Sequence, residues 1–234
     1  ETDERETDSV NEDNSVIIAG FDKFGNIVGR FLTANGIGTT VLDYDSDRVD
    51  LLRKLGLKVY YGNATRHDLL HAAGAERAKI IIAAFEDPEM NLELVHTVQK
   101  HFPHLKILVR AIDRADANEL FDAKIEHVYR ETLDTSLRMG IDAMRMLGAR
   151  AHQSHRAAKT FLKHDELYLR ELALLHKDKK QYLNAAKQYI ADLEEIIKAD
   201  FADHDLERDA GWDATSLREE VTAGTFKVYS PKGE

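Results

Sequence analysis

The sequence predicts an α/β fold: a doubly wound, six-stranded parallel sheet followed by a long helical extension. Three observations carry that prediction. Six runs rich in Val, Ile and Leu alternate with six stretches of helical pattern between residues 15 and 147. Ten of the 13 glycines fall between Gly20 and Gly148, whereas Ala149–Ala210 has neither Gly nor Pro. The first apolar run leads straight into a glycine-bracketed turn that opens a helix, and the second ends on an acid.

The strands are expected at Ser15–Gly20, Thr39–Tyr44, Lys58–Tyr61, Lys79–Ala84, Leu105–Arg110 and Ile125–Tyr129. Their apolar residues are continuous rather than alternating, as in strands covered on both faces. Helices are expected between and after them, at Lys23–Asn35, Ser46–Leu55, Arg66–Ala73, Pro88–His101, Arg114–Asp122 and Glu131–Leu147. Ser46 can cap the second helix, and Pro88 can occupy the first turn of the fourth after Asp87. Beyond residue 150, Tyr182, Ala185, Ala186, Tyr189, Ile190, Leu193, Ile196 and Ile197 recur on one helical face. An earlier stripe, Ala158, Phe161, Leu162, Leu169, Leu172 and Ala173, is interrupted by Asp165. These faces either pack within their own domain or meet a partner. Four segments follow: 1–14, 15–150, 151–210 and a mobile tail at 211–234.

The formal net charge is −10, with 42 acidic against 32 basic residues. That argues against a nucleic-acid binder, which needs a basic face. With no cysteine there is no disulfide, thiolate nucleophile or thiolate metal site. No apolar run reaches membrane-spanning length, and the strongly acidic start is not expected to be a signal peptide. Residues 1–13 hold seven acids and one Arg, six of the ten net negative charges. A block of like charge with a single apolar residue is expected to remain a solvated linker, the alternatives being an appended tag or a disordered N-terminus. Glu1 stands where an initiator Met would, so the chain is expected to be a piece of a larger protein.

Gly20-Phe21-Asp22-Lys23-Phe24-Gly25 has the shape of the Rossmann dinucleotide fingerprint, with Asp22 at the second glycine. Asp43, at the end of the second strand and followed by Tyr44, can accept hydrogen bonds from ribose hydroxyls and disfavours a 2′-phosphate. An aspartate at position 22 sets a negative charge beside a ligand's own charges. At an effective dielectric of about 20, two unit charges about 4 Å apart repel by roughly 4 kcal/mol. Lys23 offsets part of this, so a nucleotide with one phosphate, such as AMP, is expected to be tolerated better than NAD(H). Asn63, Ala64 and Thr65 form a small-residue loop on the same rim: Asn63 can read a base edge or ribose, while Thr65 can cap the helix at Arg66. Ala84, ending the fourth strand, leaves room for a base. No catalytic set appears: there is no Tyr-x-x-x-Lys, Gly-x-Ser-x-Gly or complete Walker loop. His96, His101 and His104 are expected to be surface residues rather than metal ligands. A nucleotide fold without catalytic residues points to sensing.

The strings VIIAGFDKFGNIVGRFL and VLDYDSDRVDLLRKLGLKVYYGNATRHDLLHAAGA, followed by Glu131-Thr132 opening a helix, resemble an RCK-type (KTN) potassium-transport regulatory domain. More narrowly, they are similar to the cytosolic C-terminal domain of glutathione-gated potassium efflux systems of the Kef type. The resemblance covers residues 15–150, and the helical extension fits in length. Asp22 stands at the family's second glycine and Asn63 at its usual aspartate. The resemblance implies a potassium/proton antiporter domain in the membrane, covalently linked through the acidic segment. It also implies a homodimer of regulatory domains on the cytoplasmic face of the bacterial inner membrane, and an ancillary oxidoreductase subunit as a possible partner. Reduced glutathione holds the closed state in that family, and glutathione conjugates open it. The glutathione contacts correspond by position to Arg30, Arg130, Asp165 (a family asparagine) and Leu55 (a family aromatic). The alternatives are a nucleotide-gated regulator of a Trk or Ktr channel and an NAD-dependent oxidoreductase.

Overall fold

The computed structural model describes residues 6–10, 12–175 and 178–202; the expected tail at 211–234 lies outside the described residues. The chain divides into two compact units, Glu1–Thr132 and Leu133–Glu234.

The first unit is built on β1 (Val16–Ala19), β2 (Thr39–Asp43), β3 (Tyr60–Tyr61), β4 (Ile80–Ala83), β5 (Lys106–Ala111) and β6 (His127–Arg130). All pairings are parallel, and the order is β3-β2-β1-β4-β5-β6. This is the expected doubly wound sheet. Every residue of β1 is buried, the mark of a strand covered on both faces. Its register sets Ile18 between Val41 and Ile82. The core is continuous from these residues to Phe21, Val49 and Leu52.

The crossover helices are α1 (Lys23–Ala34), α2 (Ser46–Lys54), α3 (His67–Ala72), α4 (Pro88–His101) and α5 (Arg114–Asp122). Four of the five start on an aspartate, Asp22, Asp45, Asp87 or Asp113, whose carboxylate accepts backbone N–H bonds from the first turn. These caps satisfy donors that a helix start leaves open and oppose its dipole. Two expected caps move. Asp45, not Ser46, caps α2, because its carboxylate is the one that reaches the N–H of Arg48. Thr65 does not cap α3: the cap position is Arg66, without a side-chain bond. The N–H of Thr65 instead donates to Asn63 Oδ1 at 2.9 Å in a local turn.

The acidic N-terminal segment was expected to stay solvated, yet its described residues lie along the β3 edge. The Asp8 N–H donates to the Tyr61 carbonyl, and Asp8 Oδ2 accepts from the Tyr61 N–H and from Arg53. Glu12 accepts from the Tyr60 hydroxyl at 2.7 Å and pairs with Lys58, while Asp13 meets Arg77 at 2.7 Å. Val10 is buried. The like charges are separated onto different cations, which removes the repulsion that argued against packing. The segment also covers backbone groups that an edge strand would expose.

The second unit contains α6 (Leu133–Met146), α7 (Ala151–Ala173) and α8 (Lys179–Ala202). Asp165, which interrupts the α7 stripe, is buried and accepts from the Tyr189 hydroxyl of α8 at 3.1 Å. The Tyr168 and Tyr189 rings pack with centroids 4.2 Å apart.

Candidate functional site

In an open parallel sheet, ligands bind outside the carboxyl ends of the strands where the order reverses. Here that point lies between β1 and β4, and the turn Gly20–Gly25 crosses it. Gly20 has φ +90°, and a Cβ there would come within 2.9 Å of the Ala84 and Phe85 backbone. A Cβ on Gly25 would sit 2.1 Å from the Gly20 carbonyl oxygen. Both glycines let α1 begin hard against the ends of β1 and β4.

Asp22 has two duties. Its Oδ1 accepts from the N–H groups of Phe24 and Gly25 at 3.0 and 3.3 Å. Its Oδ2 accepts from Arg110 Nη1 at 2.7 Å. Arg110 is buried, also donates to the Ala84 carbonyl at 3.1 Å, and holds Glu131 Oε2 through Nε and Nη2 at 3.0 and 2.6 Å. The Phe24 ring packs 5.1 Å from the guanidinium. Burial works against ionisation of Asp22, but the hydrogen bond and charge of Arg110 and the two amides outweigh it and hold the carboxyl below its ordinary value. Two carboxylates thus share one guanidinium. Lys23 approaches Glu131 at 3.8 Å and Glu86 at 3.7 Å from the solvent side.

Asp43 is completely buried. It accepts from the N–H of Phe21 at 2.6 Å and of Asp45 at 2.9 Å, and pairs with Arg48 at 3.0 Å. The ribose contact expected of Asp43 therefore competes with an ion pair already formed. Arg48 extends over a cavity of about 420 Å³ lined by Phe21, Asp22, Lys23 and Asn26, by Arg48 and Leu52 from α2, and by Glu86. That volume falls within the usual range for small-molecule sites.

Of the twelve residues expected at the nucleotide, only Phe21, Asp22 and Lys23 line this cavity. Ala84 is buried and packs against the turn. Tyr44 is half-exposed, 5.8 Å from the Phe85 ring. Asn63 serves the turn that holds Thr65, and Ala64 is buried. Of the residues expected at glutathione, Arg30 is exposed on α1, Leu55 is exposed at the end of α2 and Arg130 closes β6. Asp165 lies within the helical unit. Among the described residues no group of three or more metal-ligating side chains converges. His104 bonds the Ala75 carbonyl, and His101 stacks on His67.

The TrkA-N domain family matches residues 16–131, and the family described as the potassium efflux system KefB C-terminal domain matches residues 135–211. The Kef C-terminal domain of Shewanella denitrificans, solved in an AMP-bound form, is 42% identical. It superposes with a TM-score of 0.64 over 69% of this chain and 99% of that one. The chain belongs to the Kef C-terminal domain family. Escherichia coli KefC, a glutathione-regulated potassium-efflux system protein, is 40% identical over 212 residues, which is 90% of this Kef domain and 34% of that protein. The chain thus spans about a third of the length of such curated relatives. The TrkA-N domain of Escherichia coli inner membrane protein ybaL, at 24% identity and a TM-score of 0.50, shares the fold.

Three residues that shape this Kef domain's crevice escaped the sequence reading. Arg110 sits at the end of an apolar run and was counted as strand; a cation inside a buried strand was the available signal. Arg48 follows Asp43 by five residues and takes its carboxylate. Asn91, buried in α4, accepts from the N–H of Phe85 and donates to its carbonyl, fixing the end of β4.

Proposed function

We propose that this chain is the ligand-binding regulatory domain of a bacterial potassium efflux antiporter, at the cytoplasmic face of the inner membrane and joined to a membrane antiporter domain. It is not an enzyme in this reading. Glutathione favours the closed state, glutathione conjugates favour the open one, and a nucleotide, AMP rather than NAD(H), occupies the crevice. The observation that carries the reading is the 42% identity with an AMP-bound Kef domain, together with a cavity lying against the first strand–turn–helix. The match of residues 135–211 to the KefB C-terminal domain favours an efflux system over a Trk or Ktr channel.

Among the described residues, no helix is long and apolar enough to cross a membrane. In this reading the transport step belongs to the part of such relatives that this chain does not span, and this domain acts on it by shifting populations. Two ligands that share a site move a gate only through their difference in affinity for its two states. Arg30 and Arg130 supply planar guanidinium forks suited to the two carboxylates of glutathione. Ile27 and Phe31, four apart on α1 and exposed beside Arg30, support a second copy of the chain as the homodimeric partner on that face.

The test is direct. AMP is expected to raise the melting temperature, and reduced glutathione to displace a fluorescent glutathione conjugate. Arg130→Ala is expected to weaken both glutathione ligands about tenfold or more, the size of one lost charge-assisted fork. Conjugate binding unchanged in that variant, or no response to AMP, overturns the corresponding half of the reading.

A further inference from the structure

We propose that Asp22 is a built-in anion that fills the seat a ligand phosphate would take at the start of α1, so that the crevice accepts nucleoside monophosphates and turns away pyrophosphates. The proposal rests on the nucleotide reading above and narrows it.

In a strand–turn–helix nucleotide site, the first N–H groups of the helix point at the phosphate. Here those of Phe24 and Gly25 already donate to Asp22 Oδ1. The other carboxylate oxygen is held by Arg110, which is committed in turn to Glu131 and to the Ala84 carbonyl. Asp22 is therefore gripped from two directions and buried. A simple rotamer change does not vacate the seat, because it breaks the cap and the ion pair together. A pyrophosphate laid across this turn meets a carboxylate where it needs amide donors.

A monophosphate has another place to go. Lys23 and Arg48 line the same cavity as Asp22. The contacts of Lys23 with Glu86 and Glu131, at 3.7 and 3.8 Å, are longer than hydrogen bonds. Its exposed ammonium turns to a phosphate without giving one up. Arg48 presents a planar fork of five donors, and its recorded bonds to Asp43 and Asp45 involve only its terminal nitrogens. Both cations face that cavity, so one phosphate draws on them at its rim, whereas a second has to pass over Asp22. Arg110 is then a positioning residue, acting on the ligand only through the carboxylate it aims.

Calorimetric titration of the chain with AMP, ADP and NADH tests this, in the parent protein and in Asp22→Gly and Asp22→Asn. Asp22→Gly frees two amides and removes the charge, and is expected to strengthen ADP and NADH relative to AMP by about tenfold or more. Asp22→Asn keeps the size and removes the charge, so it is expected to move the same ratio in the same direction by about threefold. It keeps the test alive if the glycine variant fails to fold. An AMP-to-ADP ratio unchanged in the folded variants overturns the proposal while leaving the nucleotide reading in place. Absence of AMP binding by the parent protein overturns both.

Discussion

The carboxylates of the crevice and those of the N-terminal segment find their cations in opposite surroundings. Asp22 and Asp43 are buried, and each is bonded to two backbone amides as well as to an arginine. Asp8, Glu12 and Asp13 meet Arg53, Lys58 and Arg77 near the surface, and the side chains of Lys58, Arg77 and Asp13 are all more than half exposed. The same chemistry gives a fixed framework in one place and a strap in the other. Burial makes each partner in the crevice indispensable, because losing one strands the other away from water. Near the surface, water and salt replace a lost partner cheaply.

The contrast predicts a descending series of effects. Arg110→Met comes first: it leaves Asp22 and Glu131 without their cation and is expected to cost about 3–5 kcal/mol in denaturant unfolding. Its pH dependence sharpens the point. The Asp22 carboxyl is held below its ordinary value. The stability it contributes is therefore complete above the unfolded value of about 4 and is lost as pH falls through the lower folded value. In Arg110→Met burial still opposes ionisation and the opposing arginine is gone, so the deficit against the parent protein is largest near neutrality and narrows toward about pH 3.

Asp8→Ala is expected to cost about 1 kcal/mol and to speed hydrogen exchange at the Tyr61 amide, which loses its acceptor. That deficit shrinks as KCl is raised from about 0.05 to 0.5 M, whereas that of Arg110→Met does not. Equal salt dependence of the two would break the comparison. Asp13→Asn is the smallest, within about 0.5 kcal/mol of the parent protein by thermal melting. A loss as large as that of Asp8→Ala would mean that the whole segment docks as one cooperative element.

Much of the sheet was legible because its signal is local. Four or more consecutive Val, Ile and Ala residues report a strand covered on both faces, and Val16–Ala19 and Ile80–Ala83 are such strands. Pro88 after Asp87 opens α4 as expected. The candidate site was legible only as a location. Phe21, Asp22 and Lys23 do line the cavity, but what Asp22 does there depends on Arg110, which is 88 residues away. The pairing of Asp43 with Arg48 and the local turn at Asn63 were missed for a nearer reason. Both depend on which of several nearby donors a carboxylate or amide oxygen reaches, and spacing alone does not decide that. The docking of the N-terminal segment pairs Asp8 with Arg53 and Asp13 with Arg77, again across long stretches of chain.

The sequence by itself determined the alternation of strand and helix, the glycine turn, the opening of α4 at Pro88 and the breaker-free helical extension, because each follows from residues within a turn or a pleat of one another. Only the tertiary structure decided where the charges rest. An ion pair costs desolvation before it returns attraction, so whether a carboxylate anchors a helix, binds a ligand or stays in water depends on which cation the folded chain brings beside it and on how much water it leaves between them.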